Sequence, residues 1–479
     1  MSEASNAPRR AMGFRDLALF YIITGISLRW IPTAAVLGPS AVAVWLIGWF
    51  LFYLPLVFSV VELSSRYPQE GGLYIWSKEA FGEFSGFLSG WTYWASNLPY
   101  LPTLLYFAAS SALYAGPERW RHLSASKPFF LIFSLAALAL ATWLNVIGLD
   151  VGKWLHNLGA IGTWLPIGML YAIAGVTLFK LGSATHFTAH NIWPATHLRD
   201  LIFWATIAFA LSGSESASFL GDEVKNPRRN IPRALFLAGV VVTSGYILGT
   251  VAVLVALPAG RVSGLEGLMQ AISLGAERIG WSGIGPLAAL LIAVSNVGMT
   301  SAWLAAVSRI PFVAGMDRYI PAFFGRVHPK WKTPHIAILT QAGWSALFLF
   351  LSQAGTSVYG AYEVLVSMSI IGTFIPFLFT FAALMHMQKE PTGPEVFRVP
   401  GGKPTARALG VVGFVTTLFT IVASVAPAAD EPHKVLAVTK IAGLTGVLLA
   451  IGVVLYLLGR HRQQGGRFFG PLEEQRRSE

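Results

Sequence analysis

Gly25 and Gly213 each interrupt a long apolar run, and the residues around them are the ones that could hold a small charged molecule. The first run reads FYIITGISLRWIPTAA, with Thr24, Ile26 and Ser27 beside the glycine and Pro32 close behind. The second reads FWATIAFALSGSESASFLGDE, with Phe209, Ala210 and Ser212 before Gly213. Glycine costs a helix about 1 kcal/mol relative to alanine, so both spots can unwind. In hydrocarbon, unwinding frees backbone N–H and C=O groups that must find partners. A helix start favours a carboxylate and a helix end an ammonium. Two such breaks at corresponding places in two halves of a chain suit a zwitterion and point to a transporter site. The competing reading is that both glycines only let helices approach closely. If the site reading holds, Gly25→Leu abolishes uptake while the protein still reaches the membrane.

Two ionisable residues stand beside the breaks. Arg29 follows Gly25 by one turn, and a cation at membrane depth needs a partner or a cavity. It either meets a substrate charge or acts as a structural pair or gate. Glu215, two residues after Gly213, can take up a proton and so sense or couple protons, or it can lock its span to a neighbour. Glu62, at the end of the second apolar run, reads as an interfacial anchor. Other chemistry is scarce. The chain has no cysteine, no GxxxxGK[ST] loop and no legible catalytic arrangement, so neither an ATPase nor an enzyme is expected. His186 and His190 have metal-pair spacing but lack the glutamate of HExxH, and no metal or cofactor is expected.

The elements that must carry these residues are transmembrane helices. The 479 residues are 54% hydrophobic and 12% charged, with a mean hydropathy of +0.59. Soluble domains carry about 25% charged residues, so this chain cannot cover a soluble surface. A span needs about 20 apolar residues. Runs of that kind lie near 14–37, 40–63, 84–113, 128–147, 154–178, 200–220, 235–257, 284–306, 334–352, 359–385, 408–427 and 434–458. They predict an all-α integral membrane protein of about twelve helices. The run at 84–113 holds Pro99 and Pro102, which kink a span but are tolerated where neighbours satisfy the freed carbonyls. Basic residues such as Arg66, Lys225, Arg228, Arg229, Lys330 and Arg460 fall in loops on the side of the N-terminus, and fewer, such as Arg119, Arg121 and Lys180, on the other. That bias places both termini in the cytoplasm, and the membrane expected is the inner (plasma) membrane. It also accounts for the net charge of +11 without nucleic acid. Residues 1–13 lack the apolar core of a signal peptide, residues 14–458 form one transmembrane domain, and 459–479 form a charged tail.

Four stretches resemble the amino acid–polyamine–organocation (APC) superfamily. They are Glu62–Trp94, with its Pro68, Gly71, Gly72 and Tyr74 core; Phe209–Ala234; Ser308–Pro334; and the Gly25-Ile26-Ser27 break. The pattern Gly213 to Ser218 is similar to that of bacterial arginine–agmatine and glutamate–GABA exchangers. The resemblance implies a LeuT-like fold: inverted five-helix repeats over about 14–178 and 200–385, with spans one and six broken, plus two extra helices over about 408–458. It implies that a small-molecule amino acid is carried through the bilayer by alternating access. Residues matching the family's site are Gly25, Ile26 and Ser27 for the carboxylate and Phe209, Ala210 and Ser212 for the ammonium, with Thr24 and Gly213 among the substrate-binding residues beside them and Asn97 and Trp303 near the pocket. Glu215 matches the pH-responsive glutamate. Three positions depart from the pattern. Ser27 replaces a glycine, Arg29 replaces an apolar or aromatic residue, and Thr163 stands where some relatives have a lysine in place of sodium. Proton or sodium coupling, and a homodimer, stay open. The alternatives are a polyamine carrier, which would want more carboxylates in its pocket, and a non-transporting amino acid sensor.

Overall fold

Apolar runs cut by glycine and proline produce the helices of this chain. The computed structural model describes residues 13–67, 71–194, 201–219, 224–308, 310–313, 316, 319–331, 333–391, 393, 396–427 and 431–464. These form an all-helical architecture. The first run is split into α1 (Phe14–Gly25) and α2 (Trp30–Ala35), with Ile26 extended between them. Pro32 falls in the first turn of α2, where its missing N–H removes no intrahelical bond. The second run is α3 (Ala41–Gly48) and α4 (Leu54–Arg66), joined by a π turn over Trp49–Tyr53. The short α5 (Gly72–Phe81) turns at Gly82, φ 91°, into α6 (Glu83–Ala112). Next come α7 (Lys127–Ile147) and α8 (Leu149–Leu181). The helix α9 (Leu201–Ala210) stops short and is followed by a 3-10 segment, Ser214–Phe219. The chain continues as α10 (Pro227–Ala256), α11 (Gly267–Arg278), α12 (Ile284–Val307), α13 (Ile310–Val313), α14 (His335–Gln353), α15 (Val358–Met387), α16 (Gly402–Ala423) and α17 (Lys434–Gln464).

Among the described residues, nine helical stretches are long and apolar enough to cross a membrane. The α1–α2 and α9 runs are missing from that set because each is cut into short helices. The 30-residue α6 is long enough but is punctuated by serine, threonine, asparagine and proline. It nevertheless runs unbroken through Pro99 and Pro102. Pro102 frees the carbonyl of Leu98, and the Ser345 hydroxyl of α14 donates to that oxygen at 2.9 Å. Helix edges differ from the sequence reading where polar residues continue a helix beyond its apolar stretch: α8 starts at Leu149, α10 at Pro227, and α17 extends to Gln464. Helices α5 and α11 were not anticipated, being too short and too polar to read as spans.

The packing has a paired character. Helix α6 lies along α15, and α8 lies along α12. Likewise α7 packs on α12, and α14 packs on α6. Short α5 sits on α6 and α15, and short α11 sits on α12 and α8. The sequence at the two main crossings repeats: Ile161-Gly162-Thr163-Trp164-Leu165-Pro166 on α8 and Ile371-Gly372-Thr373-Phe374-Ile375-Pro376 on α15. A Cβ at Gly162 would lie 2.4 Å from the Leu291 carbonyl oxygen and 2.8 Å from Ser295 Cβ. A Cβ at Gly372 would lie 3.3 Å from the Thr92 carbonyl oxygen and 2.7 Å from Ser96 Cβ. Thr163 and Ser295 share a hydrogen bond of 2.8 Å, and Thr373 donates to Ser96 at 2.9 Å. After each serine comes an asparagine, Asn296 or Asn97, whose amide donates 2.8 Å back to the carbonyl four residues earlier.

On the cytoplasmic side of the sequence-based topology, Glu62 is buried and binds the Arg66 guanidinium at 2.8 Å, Gln388 Nε2 at 2.7 Å and the Val399 amide at 3.1 Å. The anchor expected there thus ties α4 to the end of α15 and to the following linker.

Candidate functional site

Each break is stitched by one side chain. At the first, the hydroxyl of Tyr246 on α10 donates to the Gly25 carbonyl at 2.9 Å and accepts the Ser27 amide at 2.9 Å. The Tyr246 ring is fixed by stacking on Trp45, 4.5 Å between centroids, and Trp45 is held by Thr250 at 3.1 Å. Two of the groups released by unwinding are therefore already paired within the protein. At the second break, Glu215 Oε2 accepts the Gly213 amide at 2.8 Å, and Oε1 accepts the Tyr93 hydroxyl of α6 at 3.1 Å. Glu215 is 2% exposed, so a nearly dry carboxylate joins the broken helix to α6.

The two breaks meet. Trp30, opening α2, packs edge-on against Phe209 near the end of α9, with centroids 5.5 Å apart. Tyr100 of α6 touches Phe209 at 6.1 Å and Trp303 of α12 at 5.6 Å. These four rings form one aromatic cluster between α2, α6, α9 and α12. Residues at the breaks are not fully covered by the rest of the protein: Gly25, Ser27 and Ser212 are half-buried and Gly213 is exposed.

The glycines play different parts. A Cβ at Gly25 would meet Val242 Cγ2 at 3.0 Å, so this glycine lets α1 approach α10. Gly25→Leu would therefore act through packing as well as through any bound molecule. Gly213 has φ 112°, which side chains rarely adopt, and a Cβ there would meet nothing within 4 Å. Close packing does not explain Gly213; backbone conformation and open space do.

The remaining expected site residues fall as follows. Ile26 is buried, with its Cδ1 against Gly245 of α10, so its side chain serves the α1–α10 contact. The Thr24 side chain lies outside the described residues. Asn97 is buried, with one of its two amide N–H donors on the Tyr93 carbonyl. Ala210 is buried, and Ser212 donates its amide (3.0 Å) and its hydroxyl (2.7 Å) to the Phe209 carbonyl. That leaves the Phe209 carbonyl already doubly occupied. Glu223, which by sequence could pair with Lys225 or Arg228 as a cytoplasmic gate, lies outside the described residues. Among those described, no histidine and carboxylate group could hold a metal, His186 and His190 included.

Arg29 is fully buried. Its guanidinium carbon lies 4.1 Å from the Trp30 ring centre and 4.4 Å from that of Tyr100. Nη1 donates to Thr103 Oγ1. A cation at mid-membrane costs about 3 kcal/mol or more, and each aromatic face returns about 0.5–2 kcal/mol. The rings can thus offset much of the charge penalty, but they satisfy no N–H at the guanidinium edge.

The amino acid permease family matches residues 12–451. The chain belongs to that family. An uncharacterised transporter of Legionella pneumophila is 27% identical over 466 residues, 96% of this permease and 99% of the relative. A serine/threonine exchanger of Bacillus subtilis is 28% identical, covering 76% of this chain and 79% of its own. A probable agmatine/putrescine antiporter of Lactococcus lactis is 24% identical, with 83% and 84% covered. The permease is accordingly a multi-pass membrane transporter of the APC superfamily, as its motifs implied.

Sequence reasoning missed Tyr246, Tyr93, Tyr100 and Thr103, which sit inside long spans with no break to mark them. Only three-dimensional proximity singles them out. The repeated Ile-Gly-Thr-x-x-Pro was readable and would have placed both crossings.

Proposed function

We propose that this permease is a secondary carrier of amino acids, working by alternating access across the cytoplasmic membrane, with both termini inside and twelve spans arranged as two inverted five-helix repeats plus α16 and α17. The observation that carries this reading is the contact between the two helix breaks, beside the exposed backbone at Gly213. Unwound backbone in hydrocarbon is tolerated only where it lines a cavity or is buried in protein. The half-buried and exposed backbone at the two breaks supports that reading, since matched broken spans are where transporter folds build a substrate site.

The repeat assignment draws support from the crossings. Exchanging spans one to five with six to ten turns the α6–α15 contact into α12–α8, the α7–α12 contact into α14–α6, and α5 into α11. The Gly-Thr/Ser-Asn contacts exchange along with them. In this reading Glu215 responds to protons. While it is ionised it accepts from both Gly213 and Tyr93. Protonation turns one of its oxygens into a donor, which weakens the tie between the second break and α6.

Flux tests both parts. Purified protein in proteoliposomes should accumulate a labelled amino acid against a preloaded amino acid or a proton gradient. Gly213→Ala should abolish that flux with normal membrane insertion, because the strained backbone costs about 1–3 kcal/mol and the break would shift to avoid it. Glu215→Gln, which fixes a neutral group there, should flatten the dependence of flux on pH. Binding of amino acids without any flux would favour a sensor and end the carrier reading.

A further inference from the structure

We propose that Arg29 receives a carboxylate of the transported molecule, which makes carboxylates rather than diamines the substrate class; this deepens the carrier reading above and rests on it. Arg29 is fully buried, and its guanidinium is engaged by three side chains. Its guanidinium carbon lies over the rings of both Trp30 and Tyr100, and Thr103 takes Nη1. The remaining groups, Nε and Nη2, are buried without an acceptor. None of the three ion pairs among the described residues includes Arg29.

The identity of those two nitrogens is informative. Nε and Nη2 form one edge of the planar guanidinium, and their N–H groups point the same way at the spacing of two carboxylate oxygens. Such an edge is the standard bidentate receptor for a carboxylate. A buried donor pair left open is costly, and native structures keep such orphans where a missing partner completes them. The orphan edge also lies beside the breaks, since both rings touch Phe209.

Charge points the same way. The guanidinium is a cation with a planar donor fork. In a poorly screened interior it repels a diamine, which brings two positive charges. A carboxylate neutralises it. Two carboxylates could do so: the α-carboxylate common to all amino acids, or the side-chain carboxylate of an acidic one.

A thermal-shift measurement on the purified full-length protein separates these cases, with L-glutamate, L-alanine and putrescine as probes against wild type, Arg29→Met and Arg29→Lys. Wild type should be stabilised by at least one of the amino acids and not by putrescine. A response to both amino acids identifies the α-carboxylate, and a response to glutamate alone identifies the side chain. Both variants should bind the effective amino acid roughly tenfold more weakly or worse, Arg29→Lys because an ammonium keeps the charge without the planar edge. Without ligand, Arg29→Met should melt no lower than wild type, since no ion pair is lost; a structural pair would make it melt far lower. Stabilisation by putrescine, an undiminished amino acid response in Arg29→Met, or a wild type indifferent to both amino acids would each overturn the proposal. Putrescine flux in proteoliposomes would sink the assignment of Arg29 and leave the carrier standing. Amino acid binding without flux would do the reverse.

Discussion

Tyr246→Phe is expected to cut amino acid flux by at least tenfold and to lower stability by about 2 kcal/mol, with helix packing retained. The substitution removes one oxygen, and that oxygen holds two backbone groups at the first break, the Gly25 carbonyl and the Ser27 amide. An unsatisfied buried polar group costs about 1–3 kcal/mol. Partial exposure of Gly25 and Ser27 lets water recover some of that, so the sum falls toward the lower end. The ring itself stays where it is, because its stack on Trp45 does not involve the hydroxyl. The effect is therefore confined to the shape of the break. Thr250→Val serves as the control: it releases the Trp45 indole N–H but leaves both bonds to the break intact, and it should keep most of the flux. Uptake equal to wild type in Tyr246→Phe would mean that the geometry of the first break does not matter for transport.

How much of this was legible beforehand follows from what a sequence can encode locally. Hydrophobic runs and the placement of basic residues are local, and they gave the membrane class and nearly every helix. Gly25 and Gly213 were visible as interruptions, but their different roles were not. Gly25 depends on Val242 more than two hundred residues away, whereas Gly213 depends on its own φ of 112°. Pro99 and Pro102 read as tolerable only with a neighbour to satisfy the freed carbonyl, and that neighbour could not be named because the Ser345 hydroxyl on the Leu98 carbonyl belongs to a distant helix. The amides at the breaks looked open from sequence, yet Tyr246 and Glu215 already occupy those of Ser27 and Gly213. Arg29 was recognisable as anomalous from position alone. Its aromatic contacts, and the edge left over, required the partners Trp30, Tyr100 and Thr103 to be brought together.

Gly162→Ala and Gly372→Ala should destabilise the protein by similar amounts, about 1–3 kcal/mol each, as overpacking does in a tight core. At position 162 the added methyl meets the Leu291 carbonyl oxygen at 2.4 Å, and at 372 it meets Ser96 at 2.7 Å with the Thr92 carbonyl at 3.3 Å behind it. At position 162 the nearest obstacle is backbone, which no rotamer change can clear, so the helices themselves must separate. Separation would also stretch the Thr163–Ser295 and Thr373–Ser96 hydrogen bonds at the same crossings. Gly168→Ala lies on α8 as well, but its methyl would meet nothing within 4 Å. It should be neutral or stabilising by up to about 1 kcal/mol through helix propensity. Thermal unfolding of the four proteins in one detergent makes the comparison. The equality of the two penalties matters more than their size. In a carrier built from inverted repeats, these crossings are the same joint seen from opposite sides of the membrane, and rocking needs both to hold while the breaks between them change shape. If one alanine proved harmless and the other ruinous, the shared Ile-Gly-Thr-x-x-Pro would be coincidence, and the two-repeat account of the motion would fail with it.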